Sequence, residues 1–218
     1  MRCDLHIHSF ASYDCLIDRK AILDACRKKK IQALAITDHN EIYGAIRLKR
    51  ELPLKVIVGE EINTKEGEII GLFLERKIEP GLSLKDTIEQ IRLQKGLVYV
   101  PHLLDSSTGR RSSLTLKSIL SCLGEIDILE VFNSRTFSKE ANYQAQKLAF
   151  RYQKLMGAGS DAHLSNEIGL AGVEIEDFDD QNDFLKKLKR STVFGKSSPF
   201  YVYLITKLIR FRKSITRR

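Results

Sequence analysis

Short apolar runs alternate along this chain with longer segments of helical spacing, and that alternation constrains the fold more than any other feature. Residues 2–8, 33–37, 55–59, 68–74, 97–101, 127–132 and 155–159 read as strands, with 172–176 as a further candidate. Between them, 18–30 carries Ile22, Leu23 and Cys26 and ends on Lys28-Lys29-Lys30, a basic end that suits a helix C-terminus. Segment 83–94 sets Leu84, Ile88 and Ile91 at helical spacing behind a Ser83 N-cap. Segments 139–152 and 180–189 read as helices too. Strands and helices in alternation predict an α/β fold with a mainly parallel sheet, open or closed into a small barrel. At 218 residues, with 43% hydrophobic and 29% charged residues, one compact domain is expected and wholesale disorder is excluded.

No apolar run approaches the length of a membrane span. The opening Met1-Arg2-Cys3-Asp4-Leu5-His6 meets charge at once, unlike a signal peptide. The four cysteines, Cys3, Cys15, Cys26 and Cys122, form no CxxC pair, so a reduced, cytoplasmic protein is expected. The net charge of +8 is concentrated: residues 199–218 hold six Lys/Arg and no acid, leaving 30 bases against 28 acids elsewhere. The chain therefore divides into a body, 1–198, and a basic tail, 199–218, joined by a hinge-like stretch at 195–199. Residues 106–113 form the clearest loop.

The five histidines share one address. His6 and His8 sit two apart in a strand, so both side chains fall on one face, with Asp4 nearby. Asp161 and His163 repeat that spacing at the end of another apolar run. His39, after Ala35-Ile36-Thr37-Asp38, and His102, after Val98-Tyr99-Val100-Pro101, each follow a strand. In parallel α/β folds the strand C-terminal ends converge on the active site. Neutral imidazole is a common ligand for zinc, manganese or iron, so the set points to a metal site. Carboxylates complete it: of Glu60 and Glu61, adjacent on a strand, only one can face the site. Asp14 follows the first strand, and Glu68 opens a further run.

The series Asp4-Leu5-His6-Ile7-His8-Ser9, Ser12-Tyr13-Asp14, Thr37-Asp38-His39, Gly59-Glu60-Glu61, Pro101-His102 and Gly159-Ser160-Asp161-Ala162-His163 resembles the PHP (polymerase and histidinol phosphatase) family. The resemblance implies a distorted (β/α)7 barrel with two to three divalent metals at the strand C-terminal ends. It implies that His6, His8 and Asp161 bind one metal and that Glu61 bridges it to a second, held also by His102. Asp14, His39 and His163 would hold the third. The family often places His where Glu68 falls, so Glu68 is assigned to the second metal as a competent substitute. Where some members supply another ligand, Asn133 offers an amide, suited to positioning substrate or water. Cys15 stands where Gly is common.

Clustered divalent metals suit hydrolysis of a phosphomonoester by activated water, on a phosphorylated small molecule, a nucleotide or a nucleic-acid end. No GxSxG or Walker A motif competes. Asp38 is a candidate orienter of a ligand histidine. Arg135 and the pair Arg110-Arg111 are candidate phosphate clamps. In the tail, Leu204, Ile205, Leu208, Ile209, Phe211 and Ile215 fall on one helical arc. Lys207, Arg210, Lys213, Arg217 and Arg218 fall on another, and Arg212 breaks the apolar face. A helix docked on the body by that arc is the first expectation; an anionic lipid surface or nucleic acid are the alternative partners. The alternative to an enzyme is a non-catalytic metal-binding PHP module with a nucleic-acid-binding or regulatory role.

Overall fold

Strands buried on both faces make the centre of the structure, a computed structural model that describes residues 1–103 and 113–216. Most of the 106–113 loop, Arg110 and Arg111 within it, and Arg217 and Arg218 lie outside the described residues. The strands are β1 (Arg2–Ile7), β2 (Ala33–Ile36), β3 (Lys55–Asn63), β4 (Glu68–Leu72), β5 (Leu97–Val100), β6 (Ile128–Asn133), β7 (Leu155–Gly159), β8 (Ala171–Glu174) and β9 (Thr192–Gly195). They form one sheet in the order β7-β6-β5-β4-β3-β2-β1-β8-β9.

The sheet curls into a nearly closed barrel. At its start β1 pairs with β8; at its end it meets the chain just past β7 through an Ile7–Ala162 bridge. Asp161 N donates to His6 O at 2.7 Å and His8 N to Ala162 O at 3.0 Å. The closure requires glycine: a Cβ on Gly159 would stand 2.3 Å from the Cβ of His6. The expected α/β barrel is present, but the sheet is not mainly parallel. Parallel pairings join β1–β2, β2–β3, β5–β6 and β6–β7, whereas β3–β4, β4–β5, β1–β8 and β8–β9 are antiparallel. Only β3–β4 is a hairpin, turned through 64–67; β4–β5 and β8–β9 are antiparallel although long connections separate those strands.

The helices are α1 (Arg19–Lys29), α2 (Tyr43–Glu51), α3 (Leu84–Leu93), α4 (Leu116–Ser121), α5 (Lys139–Arg151), α6 (Gln181–Leu188) and α7 (Tyr201–Thr216). Side-chain N-caps start most of them: Asp18, Ser83, Thr115, Ser138 and Asp180 each accept from a first-turn amide. Ile22 and Cys26 of α1, Leu48 of α2, Ile88 and Ile91 of α3 and Ala145 of α5 pack on the outer face of the sheet. A second cluster fills the barrel, with Leu5, Ala35, Ile57, Leu97, Tyr99 and Ile128 in it. Phe178, Phe184 and Leu188 close one end of that cluster. The opposite end, where β1, β2, β5 and β7 finish, is left for polar side chains.

The 195–199 stretch is not a hinge. Gly195 belongs to β9, and Ser198 is tied down by Ser134 O at 2.7 Å and Glu167 Oε1 at 2.8 Å. Helix α7 docks on the body, but by an unexpected face. Val202 is buried, Thr206 accepts from Arg135 Nη2 at 2.7 Å, and the Lys213 ammonium donates to Phe10 O, Ser12 O and Cys15 O at 2.9, 2.7 and 2.6 Å. Leu204, Leu208, Phe211 and Ile215 face solvent.

Gly159→Ala is expected to destabilise the chain by about 1–3 kcal/mol, because β1 must move to admit the methyl group. Urea denaturation of wild type and variant measures it, and equal midpoints would contradict the closure described.

Candidate metal centre

The expected metal ligands reach the open end of the barrel from several strands. His6 lies in β1 and His8 just past it, His39 follows β2, Glu61 lies in β3, His102 follows β5, and Asp161 and His163 follow β7. Glu68 arrives from the opposite chain direction. It is the first residue of antiparallel β4 and pairs with Asn63, so the start of that strand lies beside the end of β3. His102 and Asp161 hold left-handed backbone, with φ of 30° and 53°. Non-glycine residues rarely adopt this conformation, and it concentrates at functional sites.

Glu61 is the centre of the arrangement. Its Oε1 lies 2.9 Å from His102 Nε2 and its Oε2 3.0 Å from His39 Nδ1, 3.4 Å from His8 Nε2 and 3.6 Å from His6 Nε2. Asp161 Oδ1 lies 3.3 Å from His8 Nε2 and 3.7 Å from His6 Nε2. Glu68 Oε2 is 3.3 Å from His102 Nε2. Asp14 Oδ2 is 3.2 Å from His163 Nε2 and 3.5 Å from His39 Nε2. Three overlapping groups can be drawn whose donor atoms all lie within 4.8 Å of one another: His6, His8 and Asp161; His39, Glu61 and Glu68; His8, His39 and His163.

These residues fit divalent metal. His6 Nε2, both ring nitrogens of His8 and His39 Nδ1 are buried without an aligned hydrogen-bond partner, although carboxylates stand close to them. Buried polar atoms are normally satisfied. Donors that converge without aligning on one another are suited to sharing a cation. Charge points the same way. Burial disfavours the imidazolium form, yet Glu130, Asp161 and Glu61 push His6 well above its ordinary value, and Glu61 and Asp14 do the same to His39. Hydrogen bonds to Glu61 and Glu68 bring His102 up to about 9 against its burial. Burial, with His163 and His39 beside it, pushes His8 down to about 3, so it is a neutral imidazole ready to ligate. The buried acids thus call for positive charge, and divalent ions can supply it in place of protons.

A barrel whose strand ends gather acids and imidazoles around space for divalent ions is the class that fold and site define. Residues 139–193 match the family described as PHP-associated. The chain is 39% identical over 203 residues to an uncharacterized protein of Methanocaldococcus jannaschii, covering 88% of this chain and 81% of that one. Among solved structures it resembles a two-domain protein from Bacteroides vulgatus containing a predicted PHP-like metal-dependent phosphoesterase, with a TM-score of 0.68 and 17% identity. That match covers 90% of this chain, which spans 65% of the two-domain protein's length. An amidohydrolase from Chromobacterium violaceum with bound sulfate matches with a TM-score of 0.59 and 16% identity, over 75% of this chain and 88% of that one. The chain thus carries a PHP-associated segment, and its nearly closed, distorted barrel has the fold of the PHP-like neighbour.

Several expected roles need correction. Asp38 orients no imidazole ring: its carboxylate accepts from Ser9 N and Ser9 Oγ, both at 2.6 Å, and pins the turn after His8. Arg135 is no clamp at the barrel mouth. It is buried, with Nε 3.3 Å from Glu167 Oε1, and it braces α7. Asp4 accepts from Ser160 N, Ser160 Oγ and Gly169 N at 2.9, 2.6 and 2.8 Å, so it stitches β1 to the chain after β7. Burial pushes it up to about 6 in spite of those bonds. Asn133 donates to Glu130 Oε2 at 2.9 Å and lies 3.5 Å from Asp161 Oδ2, at the edge of the cluster.

Glu130 has a role that strand-end reasoning missed. It is buried in β6, with Oε1 3.1 Å from His6 Nδ1 and accepting from Tyr99 Oη at 2.8 Å. Its Oε2 accepts from the backbone of His102. It therefore fixes which His6 nitrogen faces Glu61 and Asp161. An acid inside an apolar run was the available signal. Glu130→Gln is expected to weaken metal binding about 10–100-fold, measured by chelator competition; unchanged affinity would remove Glu130 from the site's support.

Glu60 points away from the cluster and accepts from Ile78 N at 2.9 Å, while its Oε1 has no partner. Burial pushes its carboxyl up to about 7 from an ordinary 4.5. Between those values the folded chain binds the extra proton, so stability falls as pH rises through that window. Glu60→Gln is expected to flatten this loss, read by urea denaturation at about pH 5 and about pH 8. An undiminished slope would rule Glu60 out as its source.

Proposed function

We propose that this chain is a metal-dependent phosphoesterase that hydrolyses a phosphomonoester with activated water. The observation that carries the reading is the convergence of His6, His8, His39, His102 and His163 on four carboxylates at one barrel end. In this reading His6, His8 and Asp161 would hold one ion, and Glu61, Glu68 and His102 would hold a second. Asp14, His39 and His163 would hold a third. Manganese, zinc and iron suit such mixed ligands. When bound, the ions acidify and orient a water and neutralise charge on the phosphoryl oxygens.

The protein's own groups set the conditions. Glu130 keeps His6 Nε2 turned toward Glu61 and Asp161. His163 Nδ1 lies 2.9 Å from Asp161 O, which leaves its Nε2 for Asp14. Tyr13 stacks on His39 with ring centroids 4.9 Å apart. With Arg135 committed to Glu167, Arg210 is the better-placed cation for an incoming phosphate, lying 5.2 Å from the Tyr13 ring centre. A nucleotide or another phosphorylated small molecule is the substrate class. The four buried free thiols suit the reducing cytoplasm.

The test is phosphate release in the presence of manganese, with nucleoside monophosphates, nucleoside 3′,5′-bisphosphates, histidinol phosphate and short 5′-phosphorylated RNA as substrates. Release by the wild type that falls to background in Asp161→Ala is expected. No release by folded protein shown to carry metal would overturn the reading in favour of a non-catalytic module.

A further inference from the structure

Helix α7 shows the solvent an apolar stripe. Leu204, Leu208, Phe211 and Ile215 are 55%, 68%, 68% and 59% exposed. At about 3.6 residues per turn they fall opposite Val202, Thr206, Ile209 and Lys213, the side on which the docking contacts lie. Lys207 and Arg212 border the stripe on its two flanks. Phe200, 64% exposed, and Phe137, 48% exposed, extend it past the start of the helix, with ring centroids 5.7 Å apart. An apolar surface of this extent on a monomer marks an interaction site.

We propose that α7 is an interfacial helix that seats the protein on an anionic lipid bilayer. Charge selects this occupant. Lys207 and Arg212 flank the stripe and residues 199–218 hold no acid, so a second copy packed on the same face would set base against base. Nucleic acid would meet the bases but leave Leu208 and Phe211 in water. A bilayer interface satisfies both, burying the apolar face while the long basic side chains reach lipid phosphates. No helix among the described residues is long and apolar enough to cross a membrane, so the helix lies along the surface.

The test is co-sedimentation of the full chain with phosphatidylglycerol vesicles, against phosphatidylcholine vesicles, for the wild type and for L208Q/F211Q. The variant keeps every charge and alters only exposed side chains; circular dichroism and metal content confirm its fold. The wild type is expected to bind anionic vesicles and to release in high salt, and the variant to bind at least about tenfold more weakly. Three results would overturn the proposal. One is no binding of the wild type above the phosphatidylcholine level. Another is equal binding by the variant, which would mean charge attraction alone. The third is a wild-type dimer in sedimentation velocity that the variant dissolves, which would assign the face to a second copy.

Discussion

Carboxylates and imidazoles packed out of water at one end of a barrel are costly unless opposite charge sits among them. The rest of the architecture answers to that requirement. Asp14, Glu61, Glu68 and Asp161 stand within about 4 Å of imidazoles, and Glu130 adds a further acid behind His6. Glu61 reaches the histidines brought by β1, β2 and β5 only because those strands end at a common level. The backbone stitch between His6 and Asp161 brings the chain after β7 to the same end. The Gly159 contact with His6 and the left-handed backbone at Asp161 are the local cost of bringing these two strands so close.

Much of this was legible in the chain because ligand position follows from two short-range rules. Strand periodicity puts His6 and His8 on one face, and strand ends in α/β folds gather at one level. Alternation says only that Glu60 and Glu61 must part; the choice of Glu61 comes from the Gly-x-Glu motif of the family the sequence resembles, and in the structure the two carboxylates do part. Glu60 turns to the Ile78 amide, and Glu61 turns to the histidines. Glu68 shows where the rule needs sheet topology. A residue at the start of an apolar run joins residues at strand ends only if its strand is antiparallel, and nothing local in 68–72 declares that direction.

What stayed hidden is non-local. The guanidinium of Arg135 follows a strand end as a phosphate clamp would, but Glu167, far along the sequence, claims it. Asp38 sits beside His39 in sequence and serves Ser9 in space. In α7 the apolar arc is plain from spacing, yet spacing does not say which arc meets the barrel. The answer comes from polar anchors, since Thr206 and Lys213 find partners on the body that the leucines do not.

The three carbonyls that the Lys213 ammonium collects belong to the turn carrying Asp14. One cation therefore belongs to two structures at once, the foot of a surface helix and the rim of the ligand cluster. The free energy of seating that helix and the free energy of holding Asp14 in reach of His163 are then not separable quantities. By linkage, whatever help the seated helix gives to the placement of Asp14 is returned to the helix when Asp14 is held. The barrel mouth is in this sense tensioned from outside, as a drumhead is by its lacing.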